Sequence, residues 1–198
     1  MNSTGNRTRN AKGKFMRLFA GLDLPYEMRR NLELLLHLLK PKARIQWSPV
    51  ANLHLTTKFI GEFPEERLDE LKAALGAVAQ PGALRIALRG LDWFPNADRP
   101  RVLVAAMEAP AGLFALARDT DAACARLGIE PEKKAFHPHL TLARIRTSEP
   151  LLELKKAISE LPSADFGAFS AERFHLYQSQ LSPGGSIYTK LATFPLTA

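Results

Sequence analysis

The sequence predicts a mixed α and β protein that is built from two similar halves. Short apolar runs alternate with stretches in which leucines recur every three or four residues, a pattern typical of strands and amphipathic helices. The 198 residues are enough to bury a substantial core. A shift of 85 residues aligns the two halves: it places Leu18 on Leu103, Ala20 on Ala105, Pro25 on Pro110 and His54-Leu55-Thr56 on His139-Leu140-Thr141.

The first half is predicted to contain a strand, a helix, a strand, a helix and a strand, over residues 16–24, 26–39, 44–60, 64–78 and 84–94. The first strand is an apolar run that Pro25 ends. The first helix has leucines at i, i+3, i+4 and i+7 from Leu32 to Leu39, which gives it one apolar face. The dipeptide Ser48-Pro49 interrupts the second extended segment.

The second half is predicted to repeat this order, over residues 101–107, 113–127, 136–145, 150–161 and 169–176. Gly128 ends the first of these helices. Two pairs of neighbouring strands are expected: 84–94 with 101–107 across a turn that begins and ends with proline, and 169–176 with 186–194 across Pro183-Gly184-Gly185. Short proteins of this kind often look alike, but the repeated polar triplets are harder to attribute to chance.

Positive charge is concentrated at the start of the chain. The protein has 27 Lys and Arg residues against 20 Asp and Glu residues, a net charge of +7. Residues 1–14 contribute +4 of this, from Arg7, Arg9, Lys12 and Lys14. Their composition predicts a disordered tail, with residues 15–198 as a single domain. A basic tail suits a polyanionic partner such as nucleic acid; a tail that only improves solubility is the alternative.

Composition excludes two classes of protein. No apolar stretch approaches the roughly 18–20 residues that a membrane span requires. The single cysteine, Cys124, cannot form an internal disulfide or a cysteine-rich metal site. We therefore expect a cytoplasmic protein that does not enter the membrane, and we expect a monomer.

The two His-Leu-Thr triplets are the candidate functional residues. Because residues i and i+2 of a strand point to the same face, His54 projects with Thr56, and His139 with Thr141. An imidazole pair supplies a general base and a general acid near neutral pH. The two hydroxyls are neutral donors that suit the oxygens of a phosphate in the transition state. The pattern therefore predicts phosphoryl chemistry without a metal or another cofactor.

Two alternatives stay open for these residues. In the first, the triplets are ordinary strand positions, with satisfied histidines beside β-forming threonines. A zinc site of His54, His137 and His139 is also conceivable, although no Asp or Glu lies within several residues of either triplet to orient the imidazoles. The other histidines, His37 and His175, are expected to be structural.

Longer motifs around the triplets resemble the 2H phosphoesterase superfamily, and within it the bacterial RNA 2',3'-cyclic phosphodiesterase family, also called 2'-5' RNA ligases. The resemblance covers nearly the whole chain after the tail. It rests on residues 17–25 (RLFAGLDLP), 47–61 (WSPVANLHLTTKFIG), 136–144 (FHPHLTLAR) and 176–196, with Ser179, Tyr188 and Pro195. Thr57 departs from the family pattern, which often has an aliphatic residue there.

The resemblance implies an α+β fold with two pseudo-symmetric lobes of antiparallel sheet and outer helices around a central cleft. It implies metal-independent opening of 2',3'-cyclic phosphates on RNA ends or nucleotides to 2'-phosphates, and reversible 2'-5' ligation. His54 and His139 would be catalytic, and Thr56 and Thr141 would hold phosphate.

Three further residues are candidates for binding the nucleotide: Arg144, Phe59 and Tyr188. On an ideal strand Arg144 faces away from His139, so we expect it to act from the strand end. His139 is assigned the base and His54 the acid. The rival functions are a 2H protein that binds RNA or a nucleotide without turnover, and a phosphodiesterase for a small cyclic nucleotide such as ADP-ribose 1'',2''-cyclic phosphate.

Overall fold

A computed structural model describes residues 14–78, 82–183 and 185–196 of the chain. The prediction of a disordered tail lies outside these residues, except for Lys14. At Lys14 the chain is already held, because its carbonyl accepts a hydrogen bond of 2.8 Å from the backbone N–H of Glu65. The Nζ of Lys14 also lies 3.0 Å from the carboxylate of Glu65.

The described chain contains nine strands and four α-helices. The strands are β1 (Phe15–Asp23), β2 (Gln46–Trp47), β3 (His54–Pro64), β4 (Leu84–Phe94), β5 (Val102–Glu108), β6 (His139–Arg144), β7 (Asp165–Ala171), β8 (Arg173–Ser182) and β9 (Gly185–Pro195). The helices are α1 (Tyr26–Leu39), α2 (Leu68–Gly76), α3 (Ala111–Ala125) and α4 (Leu152–Ser159). Short 3-10 turns lie at Lys40–Lys42, Val50–Asn52 and Glu65–Arg67.

The strands form two antiparallel sheets, in the orders β3-β1-β8-β9 and β2-β6-β5-β4-β7. Strands β3 and β6, which begin at His54 and His139, contact each other where the sheets meet. Helix α1 packs against β7 and helix α3 against β3. Buried apolar side chains from both halves form one core. This α+β architecture with two lobes confirms the expected fold class.

Each half contributes a strand to the sheet of the other half. Strand β4 follows α2 in the first half but pairs with β5 in the second sheet, and β8 of the second half pairs with β1 in the first sheet. The registers obey the repeat, since Leu18 lies opposite Gln178 and Leu103 lies opposite Trp93, pairs that differ by the same 85 residues. The lobes are therefore interlocked, and each sheet contains strands from both halves.

The prediction of one strand over 169–176 is wrong. Residues up to Ala171 belong to β7, which pairs with β4 in the second sheet, whereas β8 begins at Arg173 and pairs with β1 and β9 in the first. Glu172 and Arg173 are both exposed, so the alternation of buried and exposed positions slips where the chain changes sheets. The hairpin itself is correct, with Ser182 opposite Gly185.

The other element boundaries differ less from the sequence predictions. Strand β3 continues to Pro64, and a 3-10 turn precedes α2, so the helix expected over 64–78 is shorter. The extended segment 136–145 is a paired strand only from His139, and the helix over 150–161 covers Leu152–Ser159. None of the helices in the described ranges is long and apolar enough to cross a membrane.

Candidate active site

The two triplets face one cleft between the sheets. Each histidine is the first residue of its strand, and His54, Thr56, His139 and Thr141 all line a cleft of about 1190 Å³. Leu55 and Leu140, the middle residues of the triplets, are buried in the core. The alternation expected from the sequence therefore holds within both triplets, and it brings two imidazoles and two hydroxyls into the same space.

Each imidazole is held by the backbone two residues before it. The Nδ1 of His54 lies 2.7 Å from the carbonyl oxygen of Asn52, and the Nδ1 of His139 lies 2.7 Å from that of His137. A carbonyl oxygen only accepts hydrogen bonds, so in each ring Nδ1 carries a proton and donates it. Nε2 of each ring is then free to take or give a proton in the cleft.

A β-bulge follows each triplet and changes which side chains reach the cleft. In β3 the pairing with β1 skips Thr57, and in β6 the pairing with β5 skips Leu142. An extra residue in a strand reverses the alternation beyond it. Phe59 and Arg144 therefore line the cleft, although an ideal strand would turn Arg144 away. Tyr188, on β9, lines the cleft as well.

The surroundings of the two histidines differ. His54 stacks on Phe19, with ring centroids 4.5 Å apart, and meets the ring of Tyr188 edge-on at 5.0 Å. This burial lowers the pKa of His54 below its usual value, against the hydrogen bond to Asn52 and the charge of Asp23, which raise it. His139 meets Phe94 edge-on at 5.1 Å, and the hydrogen bond that holds its ring is exposed, whereas that of His54 is partly buried.

Asp23 forms a charged cluster beside His54. Its carboxylate accepts hydrogen bonds from the hydroxyl of Tyr177 and the ammonium of Lys190. Burial alone would raise the pKa of Asp23, but these two hydrogen bonds outweigh it and lower the pKa. His175 lies 3.7 Å from the same carboxylate, and its pKa is lowered by burial and by Lys190. The negative charge of Asp23 thus lies close to His54.

The three other histidines and the single cysteine lie outside the two triplets. His175 is buried and bonded to Thr193 at 2.9 Å, and His37 is exposed at the end of α1. Cys124 is buried, which raises the pKa of its thiol to about 11. His137 lines the cleft, but the described ranges contain no group of His, Cys, Asp or Glu side chains arranged to hold a metal ion.

Several residues around the histidines were not found from the sequence. Phe19, Tyr177 and Phe94 reach the imidazoles because of how strands pair, and a single sequence does not give strand register. Asn52 reaches His54 locally, through its own backbone carbonyl. Asn52 also donates from its side chain to the carbonyl oxygen of Ser186, at 2.6 Å, which ties the first triplet to the β8–β9 hairpin. The repeat gave one signal for the strand that carries Phe19, since it aligned β1 with β5.

Two antiparallel sheets that each present a His-x-Thr strand to a common cleft define a phosphoesterase of the 2H type. The chain belongs to the LigT like phosphoesterase family, whose model matches it twice in succession, over residues 22–104 and 105–188. The double match falls on the two halves that the repeat predicted. The resemblance seen in the sequence is thereby confirmed.

Relatives and solved structures cover most of the chain. The protein named RNA 2',3'-cyclic phosphodiesterase from Thermus thermophilus is 37% identical over 195 residues, which span 91% of this chain and 90% of that relative. The protein of the same name from Methanocaldococcus jannaschii is 33% identical, over 87% of this chain and 96% of its own length. The crystal structure of Escherichia coli LigT complexed with 3'-AMP has a TM-score of 0.77 and 28% identity, and covers 93% of this chain and 100% of LigT.

Proposed function

We propose that the protein hydrolyses 2',3'-cyclic phosphates at RNA ends to 2'-phosphates, without a metal ion, with His54 and His139 as the acid and base. The observation that carries this proposal is the matched pair of imidazoles in one cleft, each held at Nδ1 by a backbone carbonyl and each followed by a threonine on the same face. Two groups of this kind suit a reaction in which one proton leaves water and another reaches the departing oxygen.

In the proposed reaction, water attacks the phosphorus in line with the bond to the ribose 3'-oxygen. The new P–O bond forms as the P–O3' bond breaks, so the product keeps its phosphate on the 2'-oxygen. Nε2 of His139 takes the proton from water, and Nε2 of His54 gives a proton to the 3'-oxygen. The exposed hydrogen bond that holds His139 supports access of water to this ring.

The electrostatics of His54 are compatible with the acid role once substrate is bound. Burial lowers the pKa of His54 in the free cleft, which favours the neutral ring. A cyclic phosphodiester carries one negative charge, and an anion beside an imidazole raises the pKa of the ring. Substrate would therefore supply part of the charge that keeps the proton on His54.

The other cleft residues would hold the substrate. The hydroxyls of Thr56 and Thr141 would donate to the non-bridging oxygens of the phosphate, where charge grows in the transition state. Arg144 would contact phosphate or stack on a base, and Phe59 and Tyr188 offer rings to the nucleotide. Phe59 is 60% exposed and lines the cleft, so its ring is accessible to a base.

The names of the relatives support RNA as the substrate. The matched proteins from Thermus thermophilus and Methanocaldococcus jannaschii are both named RNA 2',3'-cyclic phosphodiesterases. In the same cleft, a 5'-hydroxyl of a second RNA in place of water would give a 2'-5' linkage, which is the ligation that the resemblance implies. Because both triplets come from one chain, we expect residues 15–198 to act as one domain and as a monomer. We also expect the protein to work in the cytoplasm.

Product analysis tests this proposal. The protein is incubated in EDTA with an oligoribonucleotide that ends in a 2',3'-cyclic phosphate, and the product is compared with synthetic 2'- and 3'-phosphate standards. We expect the 2'-phosphate, at a rate that EDTA does not change. A 3'-phosphate product would contradict the direction of attack, and loss of activity that zinc restores would favour the three-histidine metal site. Opening of ADP-ribose 1'',2''-cyclic phosphate but not of RNA would overturn the RNA assignment.

A further inference from the structure

The cleft continues beyond the triplets toward helix α3, where its lining changes character. Phe114 of α3 and Phe136, in the segment before β6, both line this region and meet edge to face with ring centroids 5.8 Å apart. Arg118, one helical turn after Phe114, and Lys134 line it too. We call these four residues the α3 end of the cleft.

The aromatic rings of the α3 end are open to solvent. Phe114 is 43% exposed and Phe136 is half-buried, so the pair forms an accessible apolar surface inside a cleft rather than part of the core. Unpaired bases stack on such rings, and a base stacked on an aromatic side chain strengthens binding about 5- to 150-fold. A nucleobase is therefore a suitable occupant.

The cations of the α3 end are available to a phosphate. The side chain of Arg118 is 74% exposed and uses its Nε for Asp119, at 2.8 Å, which leaves its terminal nitrogens toward solvent. Within the described ranges Lys134 has no ion-pair partner. The two carboxylates that line this region, Asp121 and Glu132, are both engaged by the buried ammonium of Lys58, at 2.7 and 3.5 Å.

The opposite end of the cleft has a different composition. It is formed by the tip of the β8–β9 hairpin and by residues near β2, and apart from Arg144 its described lining side chains carry no formal charge. An RNA strand that runs out of the cleft would therefore find phosphate-binding groups at the α3 end. The strand that leaves the cleft lies on the 5' side of the terminal nucleotide, because a cyclic phosphate closes its 3' end.

The distances suit one further nucleotide. Phe136 precedes His139 by three residues, and three residues span at most about 10 Å of chain. We propose that the α3 end binds the nucleotide on the 5' side of the terminal one, with its base on Phe114 and Phe136 and its phosphate near Arg118 and Lys134. This subsite makes the protein prefer RNA strands over cyclic mononucleotides, and it rests on the proposed function.

The test compares two substrates that share one end. The value of kcat/KM is measured for 2',3'-cyclic AMP and for the dinucleotide ApA with a 2',3'-cyclic phosphate. We expect the wild-type protein to favour the dinucleotide by about 10-fold or more. Phe114→Ala should remove most of this preference by lowering only the dinucleotide value, Phe114→Tyr should keep it, and Leu38→Ala, an exposed leucine on α1, should change neither value.

A second variant guards against a folding defect at Phe114. Arg118→Gln should weaken the salt dependence of KM for the dinucleotide and leave the mononucleotide unaffected. Equal kcat/KM for both substrates in the wild-type protein, or an equal loss on both in Phe114→Ala together with no effect of Arg118→Gln, would overturn the subsite. These results leave the proposed function intact, whereas failure of the wild-type protein to open either substrate would refute that function itself.

Discussion

The two histidines are held alike but are not equivalent, because different residues lie opposite them in the sheets. Asp23 of β1 is the partner of His54 across the strands, whereas Ala106 of β5 is the partner of His139. A carboxylate near one imidazole favours its protonated form, and a methyl group does not. This difference gives a structural reason for the two rings to have separate roles in one reaction.

Adjacent threonines allow a sharp test of the phosphate-binding role. Both threonines line the cleft, but Thr56 is partly exposed to it, whereas Thr57 is only 5% exposed and its hydroxyl has no hydrogen-bond partner among the residues that the structure describes. Thr56→Val should lower kcat/KM about 10- to 100-fold, as expected for one hydrogen bond to a charged group. Thr57→Val should leave kcat/KM within about twofold and raise the free energy of unfolding by about 1 kcal/mol, because it removes an unpaired hydroxyl. Equal kinetics for the two variants would contradict the assignment of Thr56.

The charge of Asp23 should be visible in the titration of His54. Asp23 raises the pKa of His54, so Asp23→Asn should lower that pKa further. An acid and a base acting together give kcat/KM a bell-shaped dependence on pH. Because His54 is proposed as the acid, we expect the high-pH limb to move to lower pH in Asp23→Asn, and an NMR titration of the His54 ring to move in the same direction. Asp69→Asn, which affects an exposed pair with Lys72, is the control. An unchanged His54 titration in Asp23→Asn would refute this coupling.

At the scale of elements, the sequence predicted most helices and strands but not how they pair. Apolar periodicity is local, so it located α1, α3, β1 and the strands of both triplets. The exchange of β4 and β8 between the lobes, and the bulges at Thr57 and Leu142, depend on contacts between distant segments. The same limit explains why the histidines and threonines were found, while Phe19 and Tyr177 were missed.

Lys58 ties β3 to α3 and to the segment before β6. It is only 2% exposed, and its ammonium donates to the carbonyl of Glu130 at 2.8 Å and pairs with Asp121 at 2.7 Å. Lys58→Met should lower the free energy of unfolding by about 2–3 kcal/mol, since it leaves partly buried acceptors without their cation. Chemical denaturation measures this, with Lys72→Met, in an exposed pair with Asp69, expected to cost less than about 0.5 kcal/mol. If Lys58→Met lowered the free energy of unfolding no more than Lys72→Met, the contacts of Lys58 would contribute little to stability.

At the scale of the whole molecule, the internal repeat and the positive charge at the start of the chain are separate features. The repeat places a histidine strand in each sheet, while Arg7, Arg9 and Lys12 lie outside the residues that the structure describes. The described structure begins with Lys14, whose carbonyl and ammonium are both bonded to Glu65. A truncation that tests the tail should therefore remove residues 2–13 and keep Lys14.

Removal of residues 2–13 should affect long RNA more than short substrates. This segment contains three cations, Arg7, Arg9 and Lys12. Each phosphate contact contributes about 0.7 to the slope of log affinity against log salt for single strands, so the slope should flatten by up to about 2 units. Turnover of a cyclic mononucleotide should stay the same, because that substrate occupies only the cleft. Identical salt slopes for full-length and truncated protein would favour a tail that serves solubility.

The paired action of His54 and His139 is tested most directly by the rate of cyclic phosphate opening in His54→Ala, His139→Ala and the double variant, each with its fold verified by circular dichroism. General acid or base catalysis is worth about 10²- to 10⁴-fold, so each single variant should lose turnover by that factor. Because the two rings act on the same phosphorus, the double variant should lose less than the product of the two single losses. Near wild-type turnover in either folded single variant would contradict the mechanism.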